Sequence, residues 1–382
     1  MHISGTLRGF LLAAGIVALA APSLADIKSF NAAMKVKDYK AAAAAAASTW
    51  PGLDKSRKDL AVIAREFGFA AYLSGDFAAA KTYGEAASAA SRSATEEPVL
   101  VIGSDLLWRL AEHRISPNGD TRGRLFTLLQ SRAAHPGIDL ITYLSADAVT
   151  AYDFDKGSWR NAVASAALGN QLTADKPGYL ETNFQFQIVT AAANYMAERN
   201  MKAHDGFRVL QERVISAIAA APADRSIADL EKVYHESNAW ITTTYQHLEA
   251  IRRVRDDAKR DEERKRFFEG PDYPAAMLRM RPPLPESVCP VVLSKETYKP
   301  TYPKALNFTG MIGTIILKVD VDASGKGYNP RVVAAVPAKE FADAALKAEG
   351  RRWRQSVTSL SGWPSDQWTS AEGPIQNHRR FR

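Results

Sequence analysis

Seven histidines and one cysteine are the residues of this 382-residue chain best suited to metal or nucleophilic chemistry, and their placement argues against both. A helical zinc site sets two histidines four residues apart around a glutamate. His2, His113, His135, His204, His235, His247 and His378 contain no such pair. Cys289 lies in a proline-rich stretch with no base beside it, so it reads as an inert thiol. As the single cysteine it has no partner for an intramolecular disulfide. No glycine-rich phosphate loop and no Gly-x-Ser-x-Gly is present, and Glu96-Glu97 reads as the start of a loop, not as an acid/base pair. The chain is therefore expected to be no enzyme and to need no cofactor or metal. The remaining enzymatic reading is a site assembled from residues distant in sequence.

What remains is binding, and composition narrows the partner. The net charge is +7 and the pI about 9.3. The N-terminus reads as a secretory signal over 1–25: Arg8, the apolar run Phe10 to Ala21, then Pro22-Ser23-Leu24-Ala25 with cleavage before Asp26. The alternative is an uncleaved anchor, against which the run is shorter than the roughly 20 residues a spanning helix needs. Export favours anionic envelope components over nucleic acid as the target of the positive charge. The expected location is the periplasm, with membrane contact only if the N-terminal segment stays in place.

Residues 26–222 are alanine-rich and read as helices. Three places share a turn, an aromatic and an alanine three residues on: Lys37-Asp38-Tyr39 with Ala42, Gly75-Asp76-Phe77 with Ala80, and Gly157-Ser158-Trp159 with Ala162. Around the middle one, Gly68, Tyr72, Gly75, Phe77, Ala80, Tyr83 and Ala87 resemble a tetratricopeptide repeat. Small residues at Gly68 and Ala80 let two antiparallel helices approach, and Tyr72, Phe77 and Tyr83 fill the space around them. The spacing from Tyr39 to Phe77 exceeds the roughly 34-residue unit, and at least one unit before Trp159 is irregular. Such an array implies a concave groove, with Arg65, Tyr72 and Tyr143 as candidates and Tyr72 better suited to the core.

Residues 223–269 read as one long helix. Asp224 or Ser226 caps it, Ile227, Leu230, Tyr234, Ile241, Tyr245 and Leu248 form an apolar stripe, and its far end, 259–266, is charged all round. Residues 270–300 carry many prolines and read as a semi-rigid linker, part of which is expected to pack against a domain.

From Gly313 the chain alternates. Ile315, Leu317, Val319 and Val321 share one face; Lys318, Asp320 and Asp322 share the other, and Ile316 implies that this outer face is partly covered. A turn over Asp322 to Gly327 leads to a second strand with Val332, Ala334 and Val336, ended by Pro337. Phe341 and Ala345 begin a helical stripe that covers one face of the hairpin. Tyr302-Pro303, Ala305, Gly313, Asp322, Gly325, Phe341, Ala345 and Trp353-Arg354 together resemble the C-terminal domain family of TonB, the periplasmic energy transducer. Gln355 and Ser356 depart from the family, which has an aromatic and a proline there.

The resemblance places a small α+β domain at 301–382. The expected fold is thus multidomain and α-rich, a tetratricopeptide-like array followed by a TonB C-terminal-like domain. It also implies protein partners in the cell envelope, with outer-membrane receptors bound by strand addition at the last strand. The implied partner-binding residues are Ile375, Arg379, Arg380, Phe381 and Arg382. Two functions follow: a periplasmic binding or scaffold protein, or a membrane-anchored energy transducer for receptor-mediated transmembrane transport.

Overall fold

The computed structural model describes residues 24–176, 178–250, 262, 265, 269–280, 302–307, 309, 311–321 and 327–349. These form thirteen α-helices and, near the C-terminus, one two-stranded antiparallel sheet. The chain divides into two compact units, Met1–Ala193 and Asn194–Arg382.

The first unit is built of helical pairs: α1 (Leu24–Lys35) with α2 (Tyr39–Thr49), α3 (Leu60–Ser74) with α4 (Phe77–Ser93), α5 (Pro98–Ile115) with α6 (Gly119–Ala133), and α7 (Leu140–Asp155) with α8 (Trp159–Thr173). It ends inside α9 (Leu180–Met196). Alternate helices also touch, α3 with α5 and α5 with α7, as in a stacked array.

One turn is used repeatedly, and it falls on the three sequence signatures. Lys37, Gly75 and Gly157 have φ of 59°, 90° and 67°. The residue after each of these donates its backbone N–H five residues back: Asp38 to Ala33, Asp76 to Ala71 and Ser158 to Asp153, each at 2.9 Å. This satisfies carbonyls that a helix end leaves without partners. Asp38 and Asp76 then cap the next helix, accepting from the Ala41 and Ala79 amides at 3.0 Å. Ala42, Ala80 and Ala162 follow at 0% exposure, each where its helix needs no bulk. The irregular unit is α5–α6, whose turn instead uses Asn118 and Thr121 in a capping box.

The packing behind these turns is close. A Cβ on Gly68 would stand 2.8 Å from Leu107, and one on Gly84 would stand 2.7 Å from the Trp108 amide nitrogen. Phe67 is flanked by Phe30 at 4.8 Å, while Trp50 lies 4.8 Å from Tyr83. Where α4 meets α5 the seam is polar: the Ser88 hydroxyl donates to Asp105 at 2.5 Å, and Arg92 pairs with the same carboxylate at 2.6 Å.

The second unit contains α10 (Asn200–Ala220), α11 (Ala228–Ala250), α12 (Asp272–Met280), β1 (Thr314–Val321), β2 (Gly327–Val336) and α13 (Glu340–Glu349). Before α10 the turn recurs, with Glu198 at φ 60° and the Arg199 amide bonded to Asn194 at 2.8 Å. Phe207 of α10 stacks on Trp240 of α11 at 4.9 Å and 9°. The α11 stripe is buried at Leu230, Tyr234 and Leu248. Its charged continuation at 259–266 lies outside the described residues except Glu262 and Lys265.

The proline-rich segment starts differently from expectation. Residues 272–280 are helical, because Pro274 falls in the first turn, where a missing N–H removes no helical bond. The α12 helix is pinned to α10: Ser216 donates to Asp272 at 2.6 Å, and the Arg279 guanidinium bonds the carbonyls of Ile218, Ala221, Pro222 and Arg225. A cation at the α10 C-terminus meets both its free carbonyls and its dipole. Residues 281–301, with Cys289, lie outside the described residues.

Candidate functional site

Two surfaces carry the functional argument, one in each unit. In the first unit, α7 and α9 present matching stripes. Tyr143, Asp147 and Thr150 recur at helical spacing on α7, and Thr182, Gln185, Phe186 and Val189 do so on α9. They line a small, partly open cleft with about 10 Å³ of accessible volume, roughly room for one water molecule. Burial pushes the Tyr143 phenol up to about 12, so it is neutral at physiological pH. Burial also raises the Asp147 carboxyl, against the pull of the Arg114 charge. Arg114 does not pair with Asp147; its Nε donates to the Tyr72 hydroxyl at 2.9 Å.

The groove candidates therefore separate. Tyr143 lines the cleft. Tyr72 is core, 6% exposed, with only its hydroxyl in use. Arg65 is tied into the start of α5, donating to the Leu100 carbonyl at 3.0 Å and pairing with Glu96 at 3.2 Å. Asp147 and Thr150 were not distinguished by sequence. A stripe of aromatic, acid and hydroxyl has no hydrophobic period, and its spacing acquires meaning only against α9.

In the second unit the hairpin is held between two helices. Thr314 and Lys318, on one face of β1, bond α11: the Thr243 hydroxyl donates to Thr314 at 2.8 Å, and Lys318 reaches Glu231 at 2.6 Å. Cover on this face is what Ile316 implied. The His235 ring and the Lys318 ammonium hold the Glu231 carboxyl down to about 2. Behind Gly313 lies Phe341 of α13; a Cβ there would stand 2.5 Å from its ring. Tyr302 sits edge-on to Phe341 at 5.7 Å, and its hydroxyl donates to the Leu306 and Met311 carbonyls. Tyr302, Gly313 and Phe341 thus form one interlocked cluster, and Phe341 and Ala345 are buried as the helical stripe required.

The two strands differ in regularity. Thr314 pairs with Val336 and Ile316 with Ala334, but Leu317 pairs with Val332, Lys318 with Arg331 and Asp320 with Tyr328. Both register shifts leave the extra residue on β2. That strand begins at Gly327, earlier than its alternation suggested, because a bulge with Asn329 at φ 49° accommodates Pro330. The β1 backbone is the unbulged one, and among the described residues no third strand pairs with the hairpin. The partner-binding candidates Ile375, Arg379, Arg380, Phe381 and Arg382 lie outside the described residues, as do Trp353 and Arg354.

Four histidines are held by neighbours: His113 Nδ1 by Thr121 at 2.9 Å, His204 Nδ1 by Thr244 at 2.9 Å, His235 by Glu231 and His247 by Tyr195. Among the described residues no group of side chains is arranged to hold a metal ion, and no helix is long and apolar enough to cross a membrane.

Comparison with known families gives one match. Residues 298–370 match the family described as Gram-negative bacterial TonB protein C-terminal. The match includes the Tyr302–Gly313–Phe341 cluster and both strands, and covers under a fifth of the chain. No curated protein and no solved structure shows significant similarity to the chain.

Proposed function

We propose that this chain is a non-enzymatic scaffold of the Gram-negative cell envelope, exported to the periplasm, that binds polypeptide partners through two modules. The family match over 298–370 carries this reading. The C-terminal module docks to an envelope protein by strand addition, in which main-chain hydrogen bonds supply affinity. The unbulged β1 favours its own edge as the growing side. Ile375 and Phe381 belong to the strand that extends the sheet, and Arg379, Arg380 and Arg382 attract an acidic or anionic partner. The helical array supplies a second, tetratricopeptide-like groove for another polypeptide.

The second reading is an energy transducer for receptor-mediated transport, anchored by residues 8–25. The TonB match favours it, while the apolar run from Phe10 to Ala21, short for a spanning helix, weighs against it. N-terminal sequencing of the protein from separate periplasmic and inner-membrane fractions discriminates the two. A start at Asp26 in the soluble fraction supports the scaffold. An intact N-terminus recovered only with the inner membrane overturns it in favour of the transducer.

A further inference from the structure

The hairpin has two faces with apolar residues, and α13 covers only one of them. Gly313 and Thr314 are consecutive in extended chain, so they point to opposite faces. Phe341 of α13 lies on the Gly313 side. The Thr314 side carries Ile316 and, by the register, Val336 opposite Thr314 and Ala334 opposite Ile316. Val336 and Ala334 are 4% and 7% exposed, so this face is closed as well. A lone two-stranded hairpin is marginal in water, and an apolar face left open would weaken it further.

The element that closes this face is α11, which packs on both strands. It ends at Ala250, well before the family match begins at 298. Two polar contacts at separate heights of β1 fasten it: Thr243 to Thr314 at 2.8 Å and Glu231 to Lys318 at 2.6 Å. His235, 2% exposed, backs the same Glu231 oxygen at 3.5 Å. Twelve helical residues span about 18 Å and four extended ones about 13 Å, so contacts at both ends set the direction of β1 against α11 as well as its position.

The chain on the other side of the proline-rich stretch is fixed to the same helices. Arg279 of α12 bonds four carbonyls at the end of α10, and α10 packs on α11. Residues 281–301 therefore join two points that are both held on the α10–α11 pair.

We infer that α11 is the seat of the C-terminal module: it closes the second face of the hairpin and holds the module at one place on the helices, where a proline-rich tether alone would let it range. This goes beyond the binding of an envelope partner and stands whether or not a strand is added. A partner taken up at the hairpin is then held at a fixed position against α11.

The test is a spin-label distance measurement on the full-length chain carrying Cys289→Ser, with labels at Lys232 of α11 and Asp343 of α13, both exposed. The expected result is one narrow distance distribution. Glu231→Lys, which sets like charges against each other at Lys318, should broaden it and speed amide exchange over 312–318 about tenfold, the least that loss of a hydrogen bond to a charged group implies. Adding Lys318→Glu to that variant reverses the pair and should restore both readings. Circular dichroism establishes that each variant keeps its helices. A broad distribution in the labelled chain with Glu231 intact, an unchanged one in Glu231→Lys, or no recovery in the reversed pair overturns the inference. None of these readings depends on an envelope partner, so failure of the scaffold reading would leave them unchanged.

Discussion

Asp147 in the helical array and Glu231 beneath the hairpin are both half-buried carboxylates on helices, yet their surroundings are opposite. Glu231 is met by Lys318 and His235, and its charge is stabilised within the fold. Asp147 accepts no hydrogen bond among the described residues, and burial disfavours its charge against the pull of Arg114. The acidic and basic side chains of residues 26–193 balance, so the chain's positive excess lies elsewhere. The contrast separates a contact that holds an element in place from a surface left unsatisfied. In the first the polar groups close on one another; in the second the carboxylate lines a small opening at the surface.

The strongest test of the holding side is Phe341→Ala. Removing the ring that lies on Gly313 and Tyr302 should cost about 3–5 kcal/mol. Hydrogen exchange should then rise over 311–349 while 60–155 keeps its protection. Next is Gly84→Val, aimed at the array. The added Cβ would meet the Trp108 backbone, which cannot rotate away, so the loss should reach at least the top of the roughly 1–3 kcal/mol range for overpacking. Denaturant melts of the two variants, read by exchange in each unit, should show reciprocal patterns.

The two carboxylates give predictions of opposite sign. Glu231→Gln should destabilise the chain at pH 7 by about 1.5–3 kcal/mol, the worth of a hydrogen bond to a charged group. Because the folded value is depressed to about 2 from 4.5, that stability is fully present above about pH 4.5. It fades as the pH falls toward 2, where variant and parent should converge. Asp147→Asn should instead stabilise at pH 7, since burial raises the folded value above 3.8. The folded state then disfavours the charged form, and the variant's advantage should shrink as the pH falls toward 3.8. The smallest effect is Lys37→Gly: relieving a non-glycine residue at φ 59° should add about 1 kcal/mol.

Much of this architecture was legible from residue types. The three turn signatures marked helix-pair junctions because a left-handed residue followed by a capping residue is a local requirement, written in consecutive positions. Phe341, Gly313 and Tyr302 were legible because period-two and period-3.6 patterns meet there. The earlier start of β2 was hidden by Pro330, which reads as a strand breaker until a bulge supplies its geometry. The α12 helix was hidden by Pro274, whose effect depends on falling in a first turn. The Lys318–Glu231 pair and the cleft between α7 and α9 join residues distant in sequence, and polar groups on single helices carry no periodic signal. Arg65 looked free for the same reason; its partners Glu96 and Leu100 belong to another pair.

The central claim, that the C-terminal module docks to an envelope protein, is tested most directly by site-specific photo-crosslinking in intact cells. A crosslinker at position 381 is compared with one at Lys35 of the array. The account predicts an adduct between position 381 and an outer-membrane protein, lost when the chain is cut after Gly373 and a crosslinker is placed in β1 instead. Identical adducts from both positions, or none from 381 while the protein is folded and exported, would contradict it.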